Sequence, residues 1–433
     1  MWCMRSKSSL FKAALLIGLT LLAFPAEAMA SSPLGSLVKE ALENNPEIRA
    51  AGYGIAAMNE RPEQAGSLPN PAVTLGLINV PTDSFDFDQE AMTQKTVGVM
   101  QTFPYPGKRG LKRAIAEREL LKSREGLEVL KLRIVREVKE TYYSLYLTDR
   151  STEVTERNRR LLEDFIRIVE TKYSVGSGIQ QDVLKAYVEL SKMKEKLILL
   201  AEKKAVLSAR MNYLLSRPTE TVFHVPADLE PGHRDTPTDE LIERIYESHP
   251  VLKGMAAAIE REEKANLLAR KDYYPDFNVS LQYGQRDDGA MKRPDFLSAM
   301  VKMEVPLWQG SKEDRKVAES AARVSEAKER YEASKNQLAF RVRMIKSEME
   351  SALEQTRLFK EGILPQAKAS LESAIAGYQV NKVDFLTLLN NHLTLFNYEI
   401  EYYRSLAAHE IKMAALEEAA GGALTHHNHE VMK

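Results

Sequence analysis

The stretch that decides the fold runs from Leu111 to Val175 and reads LKRAIAERELLKSREGLEVLKLRIVREVKETYYSLYLTDRSTEVTERNRRLLEDFIRIVETKYSV. It contains no proline and a single glycine, Gly126. One unbroken helix of this length would span roughly 100 Å, whereas helices of globular proteins average about 12 residues. Because such a helix is too long to wrap around a compact core, we expect it to lie beside other long helices or to project from a surface.

The charge balance argues against nucleic-acid binding, and the absence of catalytic motifs argues against an enzyme. The chain has 433 residues, in which 60 Lys and Arg nearly balance 61 Asp and Glu. These charges are interspersed, as on solvated helix faces. The sequence contains no glycine-rich phosphate loop after a strand, no His-Glu-x-x-His and no Gly-x-Ser-x-Gly motif. We therefore predict that the protein is not an enzyme and needs no cofactor.

Residues 1–30 have the features of a secretory signal. A basic start precedes an apolar run from Ala13 to Phe24, which is too short for a stop-transfer helix. Two sites with small residues follow, ending at Ala28 and at Ala30, and we favour cleavage after Ala30. The alternative is a retained anchor helix.

Cys3 is the one cysteine of the sequence, and it lies in the segment that we expect to be removed. We therefore expect no disulfide, no thiolate metal site and no lipid anchor in the mature chain. No later segment reaches 18 consecutive apolar residues, so we expect no transmembrane helix. Any membrane crossing would have to use strands.

The second half of the chain repeats the first. Leu37 and Leu241, 204 residues apart, begin two similar segments that both end in proline. Further matches follow in the same order: Pro71 with Pro275, Phe103-Pro104 with Val305-Pro306, Tyr173–Gly176 with Tyr378–Asn381, and Asp182–Leu184 with Asp384–Leu386. Such ordered self-similarity indicates a duplication. We predict repeats at 31–218 and 238–420, a proline-rich linker at 219–237 and a disordered tail at 421–433.

Each repeat has the same predicted order of elements. One helix, at about residues 34–65 or 238–271, precedes two strands, a very long helix, a short break and a returning helix. Residues 276–283 alternate strictly between apolar and polar side chains, as a strand with two different faces does. Strands of about ten residues are long enough to cross a bilayer when tilted. The alternative is an ordinary antiparallel sheet on a soluble core.

The helices carry a different period. Apolar residues between Leu190 and Leu214, and between Val317 and Phe359, recur every three or four residues. This spacing indicates left-handed coiled-coil packing. Gly362 and Pro365 interrupt the second long helix, where we expect a bend or a break.

The number of predicted strands limits how this chain could cross a membrane. Four strands of one chain cannot close into a lumen, and backbone groups in lipid must all be paired. Several copies must then share one barrel, and three copies would supply twelve strands. We therefore predict a mainly α-helical, duplicated chain with a membrane β-barrel portion, continued by a coiled-coil barrel of long helices.

The sequence resembles the TolC-type outer-membrane channels of tripartite efflux and secretion systems over about residues 34–420. The resemblance rests on ordered, duplicated motifs: Asn45-Pro46-Glu47, His249-Pro250-Val251, Leu68-Pro69-Asn70-Pro71, Phe103-Pro104-Tyr105-Pro106-Gly107-Lys108, Tyr173–Gly176 with Asp182-Val183-Leu184, and Gly377-Tyr378 with Val383–Leu386. The Leu-Pro-Asn-Pro and Pro-Gly-Lys segments are most similar to members that serve heavy-metal efflux.

The resemblance implies a passive channel in the outer membrane of a Gram-negative-type cell. It implies a homotrimer with a twelve-stranded barrel in lipid and a helical tunnel in the periplasm. It also implies two partners: a periplasmic adaptor and an inner-membrane pump of the resistance-nodulation-division type. The cargo would be small solutes, with heavy-metal cations favoured and drug efflux or protein secretion as alternatives. An alternative from another class is a secreted structural coiled-coil protein.

The resemblance also assigns functional residues at the far ends of the long helices. It implies a periplasmic gate formed by Asp182, Tyr378, Lys382 and Asp384. The arginine that the family has in the second turn is absent here, so we expect Lys382 to pair with Asp182 or Asp384. The alternative for both aspartates is a helix N-cap. Adaptor docking is expected at the two turns, on Tyr173, Val175, Gly176, Ser177, Gly178, Val380 and Asn381.

Two further groups of residues are weaker candidates. Lys302 and Glu304 lie on the polar face of the predicted fourth strand, where they would line the pore. His426, His427 and His429 have a spacing that can bind transition metals, but they lie in the predicted tail without a cysteine partner. We therefore predict no specific metal site.

Overall fold

The computed structural model describes residues 33–221, 237–288 and 293–423. The predicted signal, most of the predicted linker and His426, His427 and His429 lie outside these ranges. No helix in the described ranges combines the length and the apolar character needed to cross a membrane.

The two repeats contain the same elements in the same order. The first comprises α1 (Pro33–Asn44), α2 (Pro46–Asn59), α3 (Arg61–Gly66), β1 (Ala72–Ile78), β2 (Gln94–Phe103), α4 (Lys108–Ser174) and α5 (Gln180–Leu215). The second comprises α6 (Thr238–Ser248), α7 (Pro250–Lys271), β3 (Phe277–Gln285), β4 (Phe296–Met303), α8 (Glu313–Leu358), a π-helical turn (Phe359–Ile363), α9 (Leu364–Gln379) and α10 (Phe385–Ala419). The predicted duplication is confirmed.

The predicted long helix is confirmed as α4, which continues without interruption for 67 residues. A buried side chain recurs every three or four residues, as at Ile134, Val138, Tyr142 and Leu145. This face packs against α5, α7 and α10, so the helix is stabilised by neighbours along its length. Gly107 precedes it with a φ of 92°, a left-handed conformation that glycine adopts without strain.

The prediction of one helix before each strand pair is wrong, because proline divides both segments. Pro46 begins α2, and the Asn45 side chain accepts a hydrogen bond from the Glu47 N–H at 2.8 Å. In the second repeat Pro250 begins α7, and His249 Nδ1 accepts from the Val251 N–H at 3.2 Å. Proline keeps the preceding residue out of the helical conformation and suits the first helical position.

The bend or break expected near Gly362 and Pro365 is instead a π-helical turn. The Leu364 N–H bonds to the Phe359 carbonyl, five residues back. Pro365 then occupies the first turn of α9, where its missing N–H costs little. The second long helix therefore continues towards its far end with one local widening.

The ordered chain extends beyond the predicted boundary at residue 421. α10 ends in a left-handed cap at Gly421, whose φ is 79°. The Gly422 N–H bonds to the Glu417 carbonyl at 2.9 Å, as in a Schellman motif. Gly421 also lies against His249, where an added Cβ would approach the imidazole to 3.1 Å. These contacts fix the end of α10, so the predicted tail starts too early.

The four strands form one antiparallel sheet in the order β1-β2-β3-β4. The pairing of β2 with β3 joins the two repeats, with Val99 opposite Leu281. β1 and β4 each have an edge without a partner strand among the described residues. The backbone N–H and C=O groups along these edges remain available to another chain.

The two faces of the sheet differ in polarity. One face carries apolar side chains in register, for example Val73 opposite Val99 and Val279 opposite Val301. These side chains are exposed, Leu75 at 78% and Leu297 at 70%. Among the described elements, no helix packs against the sheet. The alternative of a sheet packed on a soluble core is therefore contradicted.

The opposite face is polar. Thr102 donates a hydrogen bond to the Asn278 side chain at 2.6 Å, and Lys302 lies opposite Asn278 on the next strand. Thr74, Ser280, Gln282 and Ser298 lie on the same face by alternation. A sheet with one exposed apolar face and one polar face matches the separation of lipid from an aqueous lumen.

His392 is a polar side chain inside the helical core. It is fully buried in the cluster that joins α4, α5, α9 and α10, with its ring 5.5 Å from that of Phe165. Neither ring nitrogen has a hydrogen-bond partner among the residues that the structure describes. Burial lowers the pKa of His392 from 6.5 to about 4. The neutral imidazole is therefore the form that the folded core accommodates.

We predict that His392 weakens the fold in acid. Because its pKa is depressed in the folded state, the unfolded chain binds the proton first as the pH falls below about 6.5. The loss in unfolding free energy should reach about 3 kcal/mol near pH 4, since each pKa unit is worth about 1.4 kcal/mol. His392→Leu should remove this part of the acid sensitivity, measured by urea unfolding at pH 7 and pH 4.5.

Asn390→Leu is the matched control, because it introduces the same side chain at an exposed neighbouring position of α10. That variant should lose as much stability in acid as the unmodified chain. Equal acid sensitivity in His392→Leu and Asn390→Leu would contradict the prediction.

Candidate functional site at the helical tip

Two turns form the end of the helical part that lies far from the sheet. Residues 175–179 join α4 to α5, and residues 380–384 join α9 to α10. The second residue of each turn is left-handed, Gly176 at a φ of 76° and Asn381 at 60°. The next N–H in each case bonds back into the helix, from Ser177 to the Lys172 carbonyl and from Lys382 to the Gly377 carbonyl, both at 2.9 Å. Both turns are therefore Schellman motifs.

Close backbone approach explains two of the glycines. A Cβ at Gly178 would lie 3.1 Å from the Tyr173 nitrogen, because the first turn folds back onto the end of α4. A Cβ at Gly377 would lie 2.5 Å from Cγ2 of Val383. A side chain at Gly377 would force an atom to move, and one at Gly178 would require its neighbours to give by a few tenths of an ångström.

The predicted docking residues are largely accessible in the single chain. Val175 is 72% exposed and Val380, at the matching position of the second turn, is 62% exposed. Tyr173, Gly176, Ser177 and Asn381 are also exposed, whereas Gly178 is half-buried. Ile179 and Leu184 extend this exposed apolar surface onto the start of α5.

The N-cap interpretation is confirmed for Asp384 and wrong for Asp182. The Asp384 side chain accepts from the Thr387 N–H at 2.7 Å, and hydrogen bonds from Thr387 lower the pKa of Asp384. The N-cap of α5 is Ile179, so Asp182 lies within the first turn. Burial raises the pKa of Asp182; the charge of Asp384 raises it further and Lys185 opposes this.

The structure brings three of the four predicted gate residues together. Tyr378 is buried beside Phe385, at 6.0 Å between ring centres. Burial raises the pKa of the Tyr378 hydroxyl, and the charge of Asp182 adds to this shift. Lys382 is separate: it is exposed and forms no ion pair in the part of the chain described. The expected pairing of Lys382 with Asp182 or Asp384 is therefore absent from the single chain.

The cation that does connect the two turns is Lys172, which the sequence analysis missed. Its Nζ donates to the Tyr378 carbonyl at 2.8 Å and to Asn381 Oδ1 at 2.6 Å, and lies 4.0 Å from the centre of the Tyr378 ring. The available signal was a lysine in the last turn of a long helix, a common position for a cation near helix carbonyls. That signal does not identify a partner 206 residues away.

The predicted pore-lining residues lie at the opposite end. Lys302 belongs to β4 and lies on its polar face, as predicted. Glu304 lies just beyond β4, which ends at Met303. The two exposed side chains are 3.9 Å apart from Nζ to Oε1, so their interaction is weak.

A duplicated chain with a four-stranded sheet at one end and two helical hairpin turns at the other has the TolC-type fold, the fold of an outer-membrane channel subunit with a periplasmic helical extension. The chain belongs to the outer membrane efflux protein family, whose profile matches residues 37–215 and 241–422.

Individual relatives support the same assignment. The cobalt-zinc-cadmium resistance protein CzcC of Cupriavidus metallidurans is 22% identical over 88% of this chain and 87% of its own length. The outer membrane efflux protein BepC of Brucella suis biovar 1 is 23% identical over 94% of this chain and 88% of its own. The crystal structure of the outer membrane protein VceC from Vibrio cholerae superposes with a TM-score of 0.76, at 17% identity, over 90% of this chain and 97% of that one.

Family membership fixes the general function. The protein is an outer-membrane efflux channel and not an enzyme. Channels of this family are homotrimers that work in tripartite efflux systems. The alternative of a secreted structural coiled-coil protein is therefore excluded.

We predict that Gly377→Ala destabilises the tip by about 1–3 kcal/mol, the usual cost of overpacking. The added methyl group would meet Val383. In a chain that already carries Val383→Ala, Gly377→Ala should cost much less, because the atom that the methyl group meets is gone. Thermal unfolding of the single and double variants measures the effect.

Gly126→Ala is the matched control, because nothing lies within 4 Å of a Cβ added there in α4. It should stabilise the protein by about 0.5–1 kcal/mol through helix propensity alone. If Gly377→Ala and Gly126→Ala shift the melting temperature alike, the close contact with Val383 has no energetic weight.

Proposed function

We propose that three copies of this chain form a channel that exports heavy-metal cations, with a twelve-stranded barrel at one end and a gated tip at the other. The open edges of β1 and β4 support the barrel. In lipid, an unpaired strand edge costs several kcal/mol for each unsatisfied group. Pairing β4 of one copy with β1 of the next removes both edges of every chain.

The carboxylates at the tip support cations as cargo. Asp182 and Asp384, one from each repeat, lie close enough for the charge of Asp384 to act on Asp182. Three copies would place six such groups around the aperture. Rings of acidic side chains favour cations over anions in a pore. Three lysines lie near these carboxylates: Lys172 is bonded to Tyr378 and Asn381, Lys185 acts on Asp182, and Lys382 is exposed.

The choice of heavy metals rests on the relative named for cobalt, zinc and cadmium resistance, at 22% identity over most of both chains. We propose a periplasmic adaptor and an inner-membrane pump of the resistance-nodulation-division type as partners. The exposed Val175 and Val380 support the tip as the docking surface, because paired apolar groups at an exposed end suit contact with another protein.

We predict that the purified trimer conducts ions in planar bilayers and prefers cations. Asp182→Asn and Asp384→Asn should each lower the ratio of cation to anion permeability by about twofold, because each removes negative charge at the aperture. Asparagine still caps a helix, so the second variant keeps the start of α10. Reversal potentials in a potassium chloride gradient measure the ratio.

Glu372→Gln is the control, since Glu372 is an exposed carboxylate of α9 away from the two turns. It should leave the permeability ratio unchanged. A ratio that is the same in all four proteins would contradict the role of the tip carboxylates.

The cargo is tested in cells. Deletion of the gene should increase sensitivity to cobalt, zinc and cadmium, and the unmodified gene should restore growth. If deletion sensitises cells only to organic drugs, the heavy-metal assignment is wrong, but the assignment as an efflux channel still holds.

A further inference from the structure

Lys172 occupies a position between the ends of two helices. It lies in the last turn of α4, and its Nζ contacts the Tyr378 carbonyl in the last turn of α9. Carbonyl groups at helix C-termini have no partner within their helix and carry a partial negative charge. An ammonium group placed at the end of α9 is favoured by these carbonyl groups.

All three ammonium hydrogens of Lys172 can be used in this position. One N–H is directed to the Tyr378 carbonyl and one to Asn381 Oδ1, at 2.8 Å and 2.6 Å. The third can lie over the face of the Tyr378 ring, whose centre is 4.0 Å from Nζ. Hydrogen bonds that involve a charged donor are roughly twice as strong as neutral ones.

The contact with Lys172 also explains why the second turn uses asparagine. Asn381 adopts a left-handed conformation, with a φ of 60°, where the first turn has Gly176. Glycine would fit the backbone at least as well. Asparagine adds a side-chain oxygen, and this oxygen accepts the hydrogen bond from Lys172.

Only the first repeat has a lysine at this position. The position that matches Lys172 in the second repeat is Gly377, where a Cβ would meet Val383 at 2.5 Å. An equivalent lysine at this position would force Val383 to move. Among the described residues, the hydrogen bonds that join the two turns all come from Lys172.

We infer that Lys172 is a positioning residue of the tip: it holds the turn between α9 and α10 against the turn between α4 and α5 and so keeps the aperture narrow. This inference rests on the proposed channel function. Outward movement of the second turn separates Tyr378 and Asn381 from Lys172 and breaks all three contacts at once. The sequence-based alternative, in which Lys382 is the cation of the gate, makes the opposite prediction for these two lysines.

Single-channel recording tests this inference with Lys172→Met, which keeps most of the aliphatic stem and removes the charge. The open-to-closed ratio should rise by at least about tenfold, because one charge-assisted hydrogen bond alone has roughly that effect and Lys172→Met removes two of them and the ring contact. Lys368→Met is the matched control at an exposed position of α9, and it should behave as the unmodified channel. If Lys382→Met opens the channel and Lys172→Met does not, the inference is overturned.

A chemical cross-link tests the same contact without relying on a loss of function. Lys172→Cys and Asn381→Cys are combined in a chain that also carries Cys3→Ser, so that no other cysteine is present. Without the link this channel should be as open as Lys172→Met. A short, reducible bis-methanethiosulfonate reagent should close it, and dithiothreitol should reopen it.

The two proposals fail in different ways. If the unmodified trimer and every variant form no ion-conducting pore, the proposed function is wrong. If they conduct, but neither Lys172→Met nor the cross-link alters the open-to-closed ratio, only the role of Lys172 is wrong. Thermal unfolding of each variant shows whether a change in conductance comes from a lost fold. If Lys172→Met does not fold, the effect of the cross-link on the open-to-closed ratio decides whether the inference holds.

Discussion

The pairing of β2 with β3 is the interaction on which the rest of the structure depends. These strands come from different repeats, and their backbone hydrogen bonds make one sheet from two similar halves. The same pairing leaves β1 and β4 as open edges, since the chain provides no further strand among its described residues. Hydrogen-bonding groups cannot remain unpaired in lipid, so the open edges require other copies of the chain.

Contacts at the junction between the sheet and the helices fix the direction in which α4 leaves the sheet. Lys108, the first residue of α4, is buried; its Nζ lies 2.9 Å from Asp276, just before β3, and 3.3 Å from Asp272, at the end of α7. Tyr105 and Tyr274 stack beside it, 4.4 Å apart. Removing one partner of a buried charge leaves the other uncompensated. Because α4 then continues for 67 residues without a break, the geometry of this junction is carried to the tip.

Much of the tip could be predicted from local sequence, but not its connections. The Schellman turns at Gly176 and Asn381 and the N-cap at Asp384 use residues within a few positions of one another. The contact of Lys172 with Tyr378 and Asn381 joins residues more than 200 positions apart. No periodicity encodes such a contact, because it depends on how two hairpins lie beside each other. For the same reason the charge of Lys382 alone suggested an ion pair that is not found among the described residues.

The sequence by itself determined the duplication, the long helix, the alternating strands and the positions of both tip turns. These features depend on local rules: helix propensity, side-chain alternation and the conformations open to glycine and asparagine. It also contained the Asn45-Pro46 and His249-Pro250 signals that divide the first helices, although one continuous helix was expected. Only the tertiary structure decided that His392 is buried without a hydrogen-bond partner in the described part of the chain, that β2 pairs with β3 and that Lys172 joins the two turns. Each of these depends on which distant segments meet, and that is fixed by packing and not by any local pattern.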